Sequence, residues 1–551
     1  RNSQQAETLK KTRYSLFGNM NSRGTNENKD QRFVNCFPES NTNSETQARK
    51  FTLIKRAGYS EYLAPKAAGG VGRGIYSWRS KVYTVIDNTI YSGTTNIGTI
   101  GTSTGYVSIV EMSQNAGTPY LCISDGSKLY LVSTTDVIST IDNTQVQSLS
   151  ITNVGSGGAP ASGTWATTGG GGSGATGTFT ITGGIISATT VTTRGSGYTS
   201  TPTITITSGA LPTSGALSAN LCAFPPVNII SITYMDGYIF AGTSAGRIYN
   251  CDVGQPTMWQ PSNYIAAEMF SDDLVALARQ NNLLVALGVS STQFFYDAAN
   301  ATGSPLANTE QAVLQFGTTS AASVVQHENF VSWIAKGETG GYFIVRLDGV
   351  TSNKKVSLEP IERILSGESS AIETARAYPI RYQGHFWFCL RLTSRTFLYD
   401  YEDDVWHEWE NTDGSNFPAI DAIEFVQHPL FLDVARGKVY KMDDTLYQDA
   451  GVSFAVTATT SKIDLDTDRR KFMSKFSLAG DIQSSSSPIT VQYSDDDYIT
   501  WSTARTLDMQ QGHNFLKRLG SFRRRAFKLT HNSNTPMRLD YMEIETDEGD
   551  Y

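Results

Sequence analysis

Ile230-Ser231-Ile232-Thr233-Tyr234-Met235-Asp236-Gly237-Tyr238-Ile239-Phe240-Ala241-Gly242 reads as an apolar strand, an Asp-Gly turn and a second apolar strand. The same phrase returns along most of the chain. Upstream it appears as Arg73-Gly74-Ile75-Tyr76-Ser77-Trp78 with Val82-Tyr83-Thr84-Val85-Ile86, and as Tyr120-Leu121-Cys122-Ile123 with Leu129-Tyr130-Leu131-Val132. Downstream it recurs near 274–297, 323–347, 376–401 and 421–442, for example as Leu283-Leu284-Val285-Ala286-Leu287-Gly288 and Phe386-Trp387-Phe388-Cys389-Leu390. Seven copies at spacings of roughly 35 to 55 residues, apart from one long gap, belong to propellers, solenoids or arrays. Strand content selects the propeller, in which small twisted sheets stack around an axis and leave only short protected edges. Two unrelated β-sandwiches with a chance period are the competing reading.

Composition agrees with an all-β chain. Of 551 residues, 39% are hydrophobic and only 17% charged, with 49 Gly, 26 Tyr and 25 Phe, the usage of strands joined by tight turns. The length suggests about three to four domains. Five cysteines (Cys36, Cys122, Cys222, Cys251, Cys389) are widely spaced without a C-x-x-C pair, so they read as reduced core thiols. No run of 18 apolar residues occurs, and the Arg1-Asn2-Ser3-Gln4-Gln5 start lacks a signal-peptide core, which predicts a soluble protein made in a cytoplasm without a membrane span. A net charge of −8 argues against a general nucleic-acid binder.

The fold expected is therefore all-β: a six- or seven-bladed β-propeller with an inserted Gly/Ser/Thr-rich β-module and a C-terminal β-sandwich-like domain. Residues 1–70 form an N-terminal arm and lead-in strands, 71–143 the first blades, 144–222 the insertion, 223–451 the remaining blades and 452–551 the C-terminal domain. In the insertion Arg194 is the only charged residue. Gly169-Gly170-Gly171-Gly172 reads as a flexible hinge or loop, while Thr178-Phe179-Thr180-Ile181-Thr182 and Thr203-Ile204-Thr205-Ile206-Thr207 alternate as half-buried strands do. Gly195-Ser196-Gly197-Tyr198 with Pro202 supplies the turn between two such strands. A disordered linker is the alternative.

The C-terminal part carries its charges in blocks. Asp464, Asp466 and Asp468 run into Arg469, Arg470 and Lys471; Asp495, Asp496 and Asp497 form a second acidic knot; Lys517, Arg518, Arg523, Arg524 and Arg525 form a second basic one. These eight basic residues are the candidate subunit or channel contacts, facing acidic blocks of a neighbouring subunit, phosphate, or only water. Alternation along a strand leaves open whether Arg524 shares a surface with its two neighbours.

Catalytic and metal chemistry find little support. The six histidines (His327, His385, His407, His428, His513, His531) show no metal-ligand spacing, and neither a phosphate-binding G-x-x-x-x-G-K-[ST] loop nor a G-x-S-x-G elbow occurs. Ser494-Asp495-Asp496-Asp497-Tyr498-Ile499-Thr500-Trp501 resembles the Asp-box turn of sialidase-like blades, with Tyr498 in place of its glycine, and reads as a turn-stabilising device. Neither Asp495-Asp496-Asp497 nor Glu402-Asp403-Asp404 has EF-hand spacing. No cofactor, metal or catalytic residue is expected. A receptor- or glycan-binding propeller adhesin, or more remotely a sialidase-like hydrolase with paired carboxylates, is the alternative function.

Several segments, in order, resemble the packaged-DNA stabilisation proteins that form the tail hub or nozzle of short-tailed bacteriophages. Gln31-Arg32-Phe33-Val34-Asn35-Cys36-Phe37-Pro38-Glu39 with Leu53-Ile54-Lys55-Arg56-Ala57-Gly58 resembles the family's N-terminal motif, Ala57 standing where proline is usual. Met258-Trp259, Ala267-Glu268 and Asp272-Asp273-Leu274 follow, then Gly288, Thr292 and Tyr296, then Arg346, Gly349 and Glu362. Tyr382-Gln383-Gly384-His385-Phe386-Trp387, Val405-Trp406-His407-Glu408 and Leu519-Gly520-Ser521-Phe522-Arg523-Arg524-Arg525-Ala526-Phe527 complete the series, which omits 144–222. The resemblance implies a virion protein of the phage tail, not an enzyme. It implies a hexameric ring below the portal and adaptor rings, in contact with tail fibres or spikes and a needle or plug, enclosing packaged double-stranded DNA without sequence-specific binding. A channel wall with no basic surplus suits passage of the genome.

Overall fold

The computed structural model describes residues 10–17, 31–41, 50–113, 118–225, 228–270, 272–327, 329–349, 352–512 and 514–549. His513 and much of the N-terminal arm lie outside them. Within them strands are the predominant regular structure, the α-helix being Glu359–Gly367. Among these residues no helix is long and apolar enough to cross a membrane.

Seven antiparallel sheets built around the repeated hairpins form the propeller, so the upper of the two expected blade counts holds. The opening phrase becomes the first two strands of blade 3, Ile229–Met235 and Tyr238–Thr243. Its turn residues Asp236 and Gly237 both have positive φ, 50° and 90°, which matches the right-handed twist of a two-residue hairpin. Second strands such as Leu283–Gly288 are almost continuously buried, because each blade lies between two others and buries both faces.

The inner strands run down the axis: Gly72–Trp78, Ser108–Met112, Ile229–Met235, Leu274–Gln280, Val325–His327, Arg376–Tyr382 and Ala419–Phe425. Blade 5 departs from the pattern, its inner strand being split into Phe316–Gly317 and Val325–His327 around a short 3-10 turn. Small polar side chains on one inner strand satisfy backbone N–H groups on the next. Ser108 Oγ accepts from Ile232 N at 3.2 Å, Ser231 Oγ from Leu277 N at 2.7 Å, Gln326 Oε1 from Arg279 N at 2.9 Å and Asp421 Oδ2 from Ile75 N at 3.1 Å. Donors turned away from their own sheet would otherwise be left unpaired.

Most of the described strands before residue 70 pair with later parts of the chain. Gly58–Leu63 pairs antiparallel with Val439–Asp443 as the outer strand of blade 7, so the ring is closed by a strand from the opposite end of the chain. The glycine at 58 is required there, since a Cβ would sit 2.1 Å from the Gln448 carbonyl oxygen. Arg32–Val34 pairs in parallel with the outer strand of blade 6 and antiparallel with Val456–Thr459, so blade 6 continues into the C-terminal domain as one nine-stranded sheet. The facing sheet combines Cys36–Ser40 and Phe51–Lys55 with Lys471–Gly480 and Arg538–Glu548. Phe33, Leu53, Phe476, Phe527 and Ile544 share the core between the two sheets.

The insertion is folded, which rejects the disordered-linker alternative. Val146–Asn153 pairs with Ala216–Leu221, and a four-stranded sheet packs over a core that includes Trp165, Phe179, Ile181 and Tyr198. Of the hinge or loop expected at Gly169-Gly170-Gly171, the structure has the loop, a turn between Ala161–Thr168 and Ser173–Thr182 with φ of 75°, 69° and 83°. The Tyr198 hydroxyl anchors the next turn, accepting from Ala175 N at 3.1 Å. All five cysteines are buried and unpaired by disulfides.

Candidate functional site

The structure divides the eight basic candidates of the C-terminal domain. Arg469, Arg470, Lys517, Arg518, Arg523 and Arg524 are exposed. Arg523 Nη1 donates to the Asp468 carbonyl at 2.6 Å, and Lys471 and Phe472 pair with Phe522 and Ser521, so the two basic runs meet at one edge of the sandwich. Lys471 and Arg525 are corrections to the expectation that all eight are available as contacts. Arg525 is 1% exposed, forks onto Asp495 with two contacts of 2.7 Å and donates to the Leu519 carbonyl at 2.8 Å. It lies between the rings of Tyr493 and Phe522, at 3.9 and 4.4 Å. Lys471 is buried, with Nζ donating to the Asp464 carbonyl at 2.5 Å and to that of Thr467. Each side chain satisfies loop carbonyls or a loop carboxylate within its own domain, work that holds the basic edge in shape.

The Asp-box-like segment is a turn device. Thr500 Oγ1 donates to Asp496 Oδ2 at 2.5 Å, and Asp496 Oδ1 accepts from Thr500 N and Ser494 Oγ, both at 2.9 Å; these bonds, the Thr500 hydroxyl's foremost, pull its carboxyl down to about 2. Among the described residues, one group brings His and carboxylates within metal-ligand range, His385 with Asp400 and Asp403. It does not fit a cation. Asp400 Oδ2 already accepts from His385 Nδ1 at 2.6 Å and Trp387 Nε1 at 2.9 Å, while its Oδ1 accepts from Glu402 N at 2.9 Å. His407 is fully buried against Phe37 and Trp387, and burial pushes its imidazole down to about 3.

A cleft of about 320 Å³ lies where blade 6, the end of blade 7 and the C-terminal domain meet. Lys55 lies along it with Nζ donating to the Ser533 carbonyl at 2.7 Å. Burial, and then the neighbouring charge of Arg56, pushes its ammonium down to about 7.

A second cavity, of about 570 Å³, lies on the propeller axis, and all seven blades contribute to it. Its wall mixes aliphatic side chains, Ile75, Val110, Val325 and Ile423 among them, with polar and charged ones such as Glu111, Arg279 and Glu424. Near the start of the inner strands three polar groups converge. Arg376 of blade 6 reaches across to lie over the Tyr106 ring of blade 2, 4.9 Å from its centroid. Asp421 of blade 7 stands beside them, Oδ2 accepting from Ile75 N at 3.1 Å and Oδ1 from Ala422 N at 2.9 Å. Burial pushes the Asp421 carboxyl up to about 6, against the opposing pull of the Ile75 N–H and the Arg376 charge. Burial likewise lowers Arg376 and raises Tyr106. Sequence reading missed this group. The three residues are 270 or more positions apart for Tyr106 and the other two, and each sits at the start of an inner strand, where the hairpin phrase carries no chemical signal.

Residues 198–447, which span the end of the insertion and blades 3 to 7, match the family model described as Phage_stabilise: Bacteriophage P22 Gp10, beta-propeller. No curated protein matches the sequence. Among solved structures, similarity extends to BBS1N in complex with ARL6DN, at 11% identity over 70% of this chain and 97% of that one with a TM-score of 0.35. It extends also to the WD40 β-propeller domain of Doa1, at 9% identity over 70% of this chain and 97% of that one with a TM-score of 0.32. The WD40 domain of Toxoplasma gondii coronin, at 9% identity over 74% of this chain and 86% of that one, has a TM-score of 0.27. Scores this low carry no argument; the propeller rests on the seven sheets and the family match.

Proposed function

With residues 198–447 matched to the propeller of a phage stabilisation family, we propose that this phage structural protein is a subunit of the tail hub or nozzle of a short-tailed phage. It assembles as a closed ring of six beneath the portal and adaptor rings, meets fibres or spikes, and lines the path by which packaged DNA is held and leaves. It works mechanically, without catalysing a reaction, and reaches the virion after synthesis in the host cytoplasm. The family match carries this reading. The strand exchange supports it: blade 6 and the C-terminal sandwich share one sheet through Arg32–Val34, so force on one lobe is borne by backbone hydrogen bonds to the other.

Head-to-tail contacts between identical subunits close a ring when the rotation between them divides the circle. The exposed basic edge of Arg469, Arg470, Arg523 and Arg524 supplies one half of such a contact. Exposed pairs contribute about 0.2–1 kcal/mol each, and six equivalent interfaces add them up. Native mass spectrometry and sedimentation of the whole chain test this. A hexamer that weakens as salt rises, and weakens further when these four arginines become glutamine, is expected. A protein that stays monomeric with and without its virion partners refutes the ring. A variant that assembles normally but loses packaged DNA moves the arginines to the channel wall.

A further inference from the structure

The axial cavity holds an arginine whose donors are unused. Among the described residues, the Arg376 guanidinium makes no hydrogen bond and no ion pair within contact distance; it lies over the Tyr106 ring and feels the charge of the nearby Asp421. A guanidinium offers five N–H donors in a rigid fork suited to a carboxylate or phosphate. Asp421, the nearby carboxylate, is engaged elsewhere, each of its oxygens accepting a backbone N–H. The unmet capacity at this end of the axis is therefore for an acceptor. Around it aliphatic side chains such as Val110, Val325 and Ile423 alternate with polar and charged ones, Glu111, Arg279 and Glu424 among them, and a volume of about 570 Å³ lies in the range of small-molecule sites.

From this geometry we infer that the propeller axis is a binding site for a compact molecule with an apolar body and one oxyanion, carboxylate or phosphate monoester. The oxyanion is held by the Arg376 fork and the body lies along Val110, Val325 and Ile423. A small molecule is favoured over a protein segment because the volume of about 570 Å³ suits one and Arg376 of blade 6 lies across it, over the Tyr106 ring of blade 2. The site lies inside one subunit and does not depend on ring formation or on a role in the virion.

The test uses the full chain and four probes of one shape: benzoate, phenyl phosphate, benzyl alcohol and benzylamine. Saturable one-to-one binding of benzoate or phenyl phosphate is expected by ligand-observed NMR and calorimetry, with the alcohol and the amine at least about tenfold weaker. Arg376→Gln should bring the oxyanion probe down to the level of the alcohol, whereas Lys438→Gln, on the outer edge of blade 7, should leave it unchanged. Equal binding of oxyanion and alcohol to the unaltered protein overturns the inference, and this arm needs no variant to fold. So does an oxyanion preference that survives in folded Arg376→Gln. Binding of an acidic peptide with no response to either small oxyanion would make the axis a protein-docking site instead.

Discussion

Replacing Arg56 should loosen the joint between propeller and C-terminal sandwich more than any other single polar substitution there. Arg56 is fully buried and forks onto Asp449, Nη1 to Oδ1 at 2.8 Å and Nη2 to Oδ2 at 2.6 Å. Nε donates to Asn35 Oδ1 at 2.8 Å, and the remaining donors reach the carbonyls of Ala57 and Glu410 at 3.0 and 3.2 Å. Asn35, in the left-handed region at φ 57°, accepts also from Glu410 N at 3.0 Å and donates to the Ala455 carbonyl at 2.8 Å. The N-terminal strands, the end of blade 6 and the start of the C-terminal domain are thus tied at one guanidinium. Asp449 is 2% exposed. Arg56→Met strands its carboxylate away from water, a loss of about 3–5 kcal/mol. Asp449→Leu alone strands the cation. The double variant removes both charges, so a coupling of about 2–3 kcal/mol should appear in the double-mutant cycle. Phe454, 3.9 Å beneath the guanidinium, is positioned to pack against the new methionine. A chain with several lobes need not unfold in one step, so the quantity to read is the urea transition followed by tryptophan fluorescence, Trp409 lying 5.6 Å from the guanidinium carbon. A single-variant loss below about 1 kcal/mol, or a double variant no better than the sum of the singles, refutes the reasoning.

Lys55 makes stability depend on pH. Its ordinary value of 10.5 applies to the unfolded chain and about 7 to the folded one. Between those values the unfolded state binds the extra proton, so this contribution to stability rises with pH across the window, and the burial penalty is full below about pH 7. Lys55→Met should therefore be more stable than the parent at neutral pH, by an amount on the order of a few kcal/mol that shrinks toward pH 10; melting curves that differ by a constant across that range would refute it. Deleting 146–220 with a short Gly-Ser link should leave a soluble propeller with its own cooperative melt, because the insertion has a separate core. The local cost should fall at Trp259, whose N–H loses Gln147 Oε1 at 2.9 Å, and an insoluble product would make the insertion part of the propeller core.

The sequence alone determined the class and the rhythm of this protein. Apolar runs with Asp-Gly or Gln-Gly turns read as hairpins, and their recurrence every roughly 35 to 55 residues, apart from one gap, points to a propeller, because a local strand period and a local turn do not depend on what lies far away. The turn chemistry of Ser494–Trp501 and the strands of the insertion were legible for the same reason. Residues that act through long-range meetings were not. Nothing near Gly58 says that its strand closes blade 7 some 380 positions later. Nothing in Arg523-Arg524-Arg525 says which of the three turns inward; that was decided by the pocket formed by Asp495, Tyr493 and Phe522, which exists only after the sandwich packs. Arg376, Asp421 and Tyr106 look like ordinary strand residues until seven blades bring their inner strands around one axis. Burial, ion pairing and the meeting of distant side chains are properties of the assembled core, so only the tertiary structure decides which charges are free to act.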